Sequence, residues 1–219
     1  MCGFVGFTNS ISDAQTVLSR MMDSIKHRGP DSDGKYIDSD IALGFRRLSI
    51  IDISTGSQPI FNEDGSHVLL FNGEIYNYRE LREELISHGH IFKTNTDSEV
   101  LLHGYEQWQK GLLDRLRGMF AFVIWNKNTK ELFGARDFFG IKPMYYAQMR
   151  GTFMFGSEIK SFLLHPHFDK ELNTDALENY LTFQYSPCEE TFFKGVFKLP
   201  PAHYFVYKDG KLKTERYWS

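Results

Sequence analysis

The 219-residue chain sets 25 Lys and Arg against 28 Asp and Glu, a net charge of −3 without a basic run, which argues against nucleic acid or an anionic membrane as its partner. Hydrophobic residues at 42% and charged residues at 24% exclude a disordered or fibrous chain, and the length suits a single domain with a full core. With Cys2 and Cys188 as its two cysteines, no N-x-S/T acceptor, no basic-then-apolar leader and no membrane-length apolar run, the chain reads as a cytoplasmic protein of a reducing compartment.

Residues 2 to 8 read as a short buried strand. Residues 13 to 25 carry Val17, Leu18, Met21, Met22 and Ile25 at helical spacing, with Ser12 or Asp13 as N-cap and a stop before His27-Arg28-Gly29-Pro30. Segments 34 to 37, 41 to 50 and 67 to 72 are β-like, separated by loops such as Ser54-Thr55-Gly56-Ser57-Gln58-Pro59. Two helices follow: Tyr78 to Ser87, ended by Gly89, and Ser98 to Gln109, for which Asp97 stands in the N-cap place. From Met119 to Gly156 four apolar or alternating segments, 119 to 125, 131 to 136, 144 to 148 and 152 to 156, suggest an antiparallel meander that forms a second sheet. Short helices near 159 to 163 and 175 to 182 precede a small hairpin around Asp209-Gly210. Strands, then helices, then strands, then helices is an α+β order, and two sheets covered by helices would account for the apolar runs and the 20 Phe and 11 Tyr.

Cys2 carries the chemistry. A small residue at position 2 permits removal of Met1, and the product then holds a thiol and a free α-amine on one residue. A free thiol titrates at about 8.5 and an α-amine at about 7.7 to 8.0, so near neutrality such an amine has a neutral fraction able to take the thiol proton. Taken alone, Met1-Cys2-Gly3-Phe4-Val5-Gly6-Phe7 would more simply open a buried strand with a small hydrophobe. The rest of the chain changes that balance.

Cys2 stands in order with His27-Arg28-Gly29-Pro30-Asp31, Arg47-Leu48-Ser49-Ile50-Ile51-Asp52, Phe71-Asn72-Gly73-Glu74-Ile75-Tyr76-Asn77 and Thr96-Asp97-Ser98-Glu99. Gly118-Met119-Phe120-Ala121-Phe122, Arg136-Asp137-Phe138-Phe139-Gly140-Ile141-Lys142-Pro143 and Ser157-Glu158-Ile159-Lys160 complete the set. Each motif is weak alone, but the ordered set around an N-terminal Cys strongly resembles the glutaminase (class II glutamine amidotransferase) domain of glutamine-hydrolysing asparagine synthetase. That resemblance implies the N-terminal-nucleophile (Ntn) hydrolase fold, a four-layer αββα sandwich. It also implies a glutaminase domain over residues 2–200, with residues 201–219 forming a hairpin and a join to a synthetase domain beyond this chain.

The resemblance further implies hydrolysis of L-glutamine to glutamate and ammonia through a γ-glutamyl thioester on Cys2. Asn72 and the Gly73 N–H would form the oxyanion hole, Arg47 would bind the α-carboxylate, and Glu74, Asp97 and the Ile50 carbonyl would hold the α-ammonium. Read without that context, Asn72-Gly73 is a type I′ turn at a strand end. Arg28 would support the nucleophile's surroundings, and Met119 is either a lining of the ammonia passage or a core residue. No cofactor is expected in this chain; ATP and magnesium belong to the absent synthetase domain, and a phosphate-cradling G-x-x-x-x-G-K-[ST] loop does not occur here. Homodimer formation is left open. The pairs His88-Gly89-His90 and His165-Pro166-His167 read as solvated loop histidines, with no metal expected. Two rival readings stand beside this one. One is the glutaminase domain of a related amidotransferase with another acceptor, and the other is a non-catalytic glutamine-binding regulatory module.

Overall fold

The computed structural model describes residues 1–9, 11–48 and 56–219. Among the described residues twelve strands form two six-stranded sheets. The first contains β1 (Gly3–Thr8), β2 (Ser32–Ile37), β3 (Ile41–Arg47), β8 (Tyr145–Met149), β9 (Thr152–Gly156) and β10 (Val196–Lys198), in the order β10-β8-β9-β1-β3-β2. The second contains β4 (Ile60–Phe61), β5 (His67–Ile75), β6 (Gly118–Asn126), β7 (Glu131–Arg136), β11 (His203–Lys208) and β12 (Lys211–Arg216), in the order β12-β11-β7-β6-β5-β4. All the paired strands run antiparallel.

The period of two along each strand divides its side chains between two cores. Phe4 on β1, Ile41, Leu43 and Phe45 on β3, Val68 and Leu70 on β5 and Ala121, Val123 and Trp125 on β6 all face the space between the sheets. Their sequence neighbours face outward. Val5, Phe7 and Ala42 meet Val17, Leu18, Met21 and Met22 of helix α1 (Ala14–Ser24). Leu69, Phe71, Phe120 and Phe122 meet α2 (Tyr78–Ser87) and α3 (Asp97–Trp108), with the short α4 (Leu112–Arg115) alongside. Helix, sheet, sheet, helix is the αββα sandwich expected from the sequence. Gly6 lies on the inter-sheet side of β1, where a Cβ would stand 2.4 Å from the Phe155 ring, so only glycine lets the layers close.

The segment from Met119 to Gly156 is not one meander. β6 and β7 belong to the second sheet, while β8 and β9 pair in the first, beside β1. The crossing between sheets is built by Arg136 and Asp137. Arg136 donates to the carbonyls of Gly140, Lys142 and Leu199 at 2.6, 2.7 and 2.6 Å, and the Asp137 carboxylate accepts the N–H groups of Phe139, Ile141 and Lys142. Gly140, at φ +65°, turns this loop directly over the Arg136 guanidinium. The C-terminal hairpin turns at Asp209 and Gly210, both with positive φ, and its first strand extends the second sheet by pairing with β7. Helix α5 (Thr174–Phe183) is capped by Asn173, whose side chain accepts the Ala176 N–H. Among the described residues no helix is long and apolar enough to cross a membrane.

Candidate active site

The same period of two that builds the inter-sheet core also builds a polar site at its end. Cys2 continues the inward register of Phe4, and Arg47 continues that of Leu43 and Phe45. Asn72 and Glu74 continue that of Val68 and Leu70, and Met119 continues that of Ala121 and Val123. Five side chains, Cys2 directly before β1 and the other four on β3, β5 and β6, therefore converge where the two sheets part. All five line one cavity of about 450 Å³, together with Gln58, Gly73, Thr96, Asp97 and Lys142. Met119 is half-buried there and is not a core residue.

Cys2 is held from two sides. Its Sγ lies 3.4 Å from the Leu48 N–H, which donates to it, and 3.5 Å from the Leu48 carbonyl. Its own carbonyl accepts Arg28 Nε at 3.0 Å. Arg28 in turn reaches Glu158 at 3.0 Å, and Glu158 also pairs with His27 and Lys160. Burial acts to raise the Glu158 pKa, but these three donors outweigh it and hold the carboxyl below its usual range. Gly3 is required beside this arrangement, since a Cβ would lie 2.8 Å from the Arg28 side chain. Arg28 thus positions the backbone of Cys2 through its carbonyl.

Asn72 and Gly73 lie inside β5, paired with Ala121 and Phe120, so the turn reading of Asn-Gly is wrong. The Asn72 side chain is 2% exposed, and its Nδ2 has no hydrogen-bond partner among the described residues. A buried unsatisfied donor costs on the order of 1–3 kcal/mol, so an amide left in this state at a cavity wall suggests an acceptor that arrives with a ligand. Gly73 supplies a second donor through strand geometry. The Phe71 N–H and C=O bond the Gln58 side-chain amide at 2.7 and 2.9 Å, and the Ile75 N–H bonds Asp97 Oδ2 at 2.9 Å. Both lie on the β5 edge away from β6. Gly73, halfway between them, directs its N–H to that same edge and so toward the cavity. A Cβ at Gly73 would stand 2.2 Å from the Met119 carbonyl.

The charged groups complete the cavity. Arg47 is buried at 7% exposure on the wall. Glu74 and Asp97 face it with raised pKa values. Burial lifts Glu74, partly offset by the Lys142 ammonium. Burial and the Glu74 charge lift Asp97 to about 6, against the hydrogen bond from Ile75. Two carboxylates that resist ionisation form a ready site for an arriving cation. Asp97 is the first residue of α3 and not its cap, a position taken by Thr96 in extended conformation; its carboxylate is directed at β5 instead. Ile50 lies outside the described residues. Sequence reasoning missed Gln58, which extends the β4 edge by a side chain, and Lys142, buried on the cavity wall with Nζ 3.3 Å from Met1 Sδ. Lys142 was already visible inside the Arg136–Pro143 motif; Gln58 carried no signal beyond its place before a proline.

His165 is not solvated. It is 3% exposed, packs on Phe7 at 4.6 Å, and burial lowers its pKa to about 4.

Two helix-covered sheets with a cysteine at the head of an inner strand define an Ntn-type amidotransferase fold. Solved structures agree on that fold. A glutamine phosphoribosylpyrophosphate amidotransferase from B. subtilis, complexed with ADP and GMP, superposes with TM-score 0.72 at 22% identity, over 98% of this chain and 49% of that one. A structure described as the allosteric regulatory enzyme of purine biosynthesis gives 0.75 at 21% identity, with the same coverages. The profile of the glutamine amidotransferase domain matches residues 1–218, and the chain belongs to that family. It is 46% identical to asparagine synthetase [glutamine-hydrolyzing] 1 of Bacillus subtilis over its whole length, and 42% identical to asparagine synthetase [glutamine-hydrolyzing] 2 of the same organism. A putative asparagine synthetase of Mycobacterium tuberculosis is 42% identical over 91% of the chain. The chain spans about a third of the length of these relatives.

Proposed function

We propose that the chain hydrolyses L-glutamine to glutamate and ammonia on Cys2, and that the ammonia serves ATP-dependent conversion of aspartate to asparagine in a C-terminal synthetase part. The observation that supports this most is the convergence of Cys2, Arg47, Asn72 and Glu74 at one end of the inter-sheet face, with the Asn72 amide unpartnered. Removal of Met1 converts the Cys2 nitrogen from an amide to an amine. That amine takes the thiol proton as Sγ attacks the side-chain amide carbon of glutamine. The carbonyl oxygen becomes an oxyanion, and Asn72 Nδ2 and the Gly73 N–H are the donors for it. The proton held by the amine passes to the leaving ammonia, and a γ-glutamyl thioester remains on Cys2. Water then attacks the thioester, its proton moves through the same amine to the departing sulfur, and glutamate is released.

Glutamine arrives as a zwitterion, which explains the charge pattern of the wall. The planar Arg47 guanidinium suits the α-carboxylate. Glu74 and Asp97, both raised by burial, gain a counter-ion when the α-ammonium binds. The hydrolysis itself needs no cofactor; ATP and magnesium would serve the C-terminal part alone. Two unpaired cysteines favour the cytoplasm as its compartment.

The test is glutamate release from L-glutamine by chain whose intact mass shows Met1 absent, alongside Cys2→Ala. Release by the processed chain that vanishes in the variant is the expected result. Equal release by both proteins, or none from processed chain that binds glutamine, would overturn the catalytic reading.

A further inference from the structure

A second cluster of chemically reactive side chains lies beside α3, outside the cavity that Cys2 lines. Glu63 precedes β5, His90 follows α2, and His103 sits in the middle of α3. Ligand atoms from these three lie within 4.8 Å of one another, although they are far apart in sequence. His103 Nδ1 is 3.5 Å from Glu63 Oε1, and Glu106 Oε2, 3.2 Å from the same nitrogen, stands beside these three donors as a hydrogen-bond partner of His103. In a tetrahedral site with metal–ligand bonds of about 2.0–2.1 Å, donors stand roughly 3.3–3.4 Å apart, close to the His103–Glu63 spacing.

The surroundings orient each donor. The other His103 nitrogen, Nε2, is buried without a hydrogen-bond partner among the described residues, and the Glu99 carboxylate lies at ion-pair distance from it, 3.5 Å. Glu99 is itself 3% exposed and fixed by the N–H groups of Lys93 and Thr94 and by the Thr94 hydroxyl. Carboxylate, imidazole and metal in that order form the usual support of a metal-bound histidine. Glu106 Oε1 is held by Asn62 Nδ2 at 2.6 Å, and Glu63 Oε1 accepts the Ile91 N–H at 3.2 Å. His90 Nε2 rests 3.2 Å from Gln107 Oε1. His103 is 1% exposed, whereas Glu63 is open to solvent and His90 partly so, which leaves an entry path.

We propose that Glu63, His90 and His103 bind one first-row divalent metal ion of the zinc class. Two imidazoles with one carboxylate suit zinc and its neighbours better than magnesium or calcium, which prefer oxygen alone. The site is structural. It ties the loop after α2 to α3, and through Glu99 it reaches Lys93 and Thr94, directly before the Asn95–Ser98 stretch of the glutamine cavity. The competing arrangement is an ion-pair network, in which a proton on His103 balances the surrounding carboxylates.

Zinc titration by calorimetry, and visible absorption after cobalt(II) addition, distinguish the two on EDTA-treated 219-residue chain. Expected are one zinc per chain, tetrahedral cobalt bands, and affinity at least about tenfold weaker in His90→Ala and in Glu63→Gln, both at accessible positions. Cys2→Ala should bind zinc as the parent does. No binding by the parent, unchanged affinity in His90→Ala, or binding lost in Cys2→Ala would overturn the assignment in favour of the ion-pair network or of the thiol.

Discussion

Replacing Asp97 by Asn should make the protein more stable and a poorer glutamine binder. Asp97 titrates at about 6 in the fold, against an ordinary 3.8, because burial and the nearby Glu74 charge both oppose its ionisation. Two pKa units correspond to about 3 kcal/mol at 1.36 kcal/mol per unit. The sign follows from proton counting. Between pH 3.8 and 6 the folded chain binds more protons at this site than the unfolded chain, so stability falls as pH rises through that window. Above about 6 the penalty is fully present, and it is absent below 3.8. Asn keeps an oxygen that can accept the Ile75 N–H and carries no charge. Urea unfolding at pH 4, 5, 6 and 7.5 should therefore show the variant gaining up to about 3 kcal/mol at pH 7.5 and almost nothing at pH 4. Glutamine should bind about 10- to 150-fold more weakly, the equivalent of a charged hydrogen bond of about 1.5–3 kcal/mol. A variant no more stable than the parent at pH 7.5, with the same pH slope, would refute the reasoning.

Three further outcomes follow from the same geometry. Asn72→Ala should lower kcat by about 10²- to 10³-fold with little change in glutamine affinity, and without loss of thermal stability, since it deletes an unpartnered buried donor; steady-state kinetics with a melting curve decide it, and an unchanged kcat removes Asn72 from the mechanism. Arg47→Lys should mainly raise KM, because a point charge cannot reproduce the guanidinium fork; a fall in kcat at constant KM contradicts the assignment. Gly73→Ala should destabilise the fold by about 1–3 kcal/mol, since its methyl group meets backbone on β6 and the two strands must separate, and a melting temperature equal to the parent's would show that the strands yield freely.

Helices α1, α2, α3 and α5 were legible to within one or two residues because each is bounded by turn signals: Tyr78–Ser87 stands as read and α3 is displaced by one position, whereas the four-residue α4 was not read. Strand positions were legible for the same reason, but sheet membership was not. β7 and β8 have the same apolar character, and what sends them to different sheets is the Arg136–Asp137 crossing, whose hydrogen bonds end on Gly140, Lys142 and Leu199. Read in isolation, Asn-Gly misleads for a related reason. Locally it favours a turn, and nine residues of pairing with β6 override that preference.

The catalytic candidates were legible as residue types and order: Cys2 at the start, then Arg47, Asn72-Gly73-Glu74 and Asp97. Residue order carries no information on why they meet. The sequence by itself determined the two periodicities, a candidate nucleophile at position 2, and the charges suited to a zwitterion. Tertiary structure alone decided that the inward-facing registers of β1, β3, β5 and β6 end at one opening, that Gln58 completes the edge from which Gly73 presents its N–H, and that His90 and His103 come together across two helices. Periodicity is a local property of the chain, whereas convergence depends on which strands pair and in what register, and that is fixed only when both sheets close on their common core.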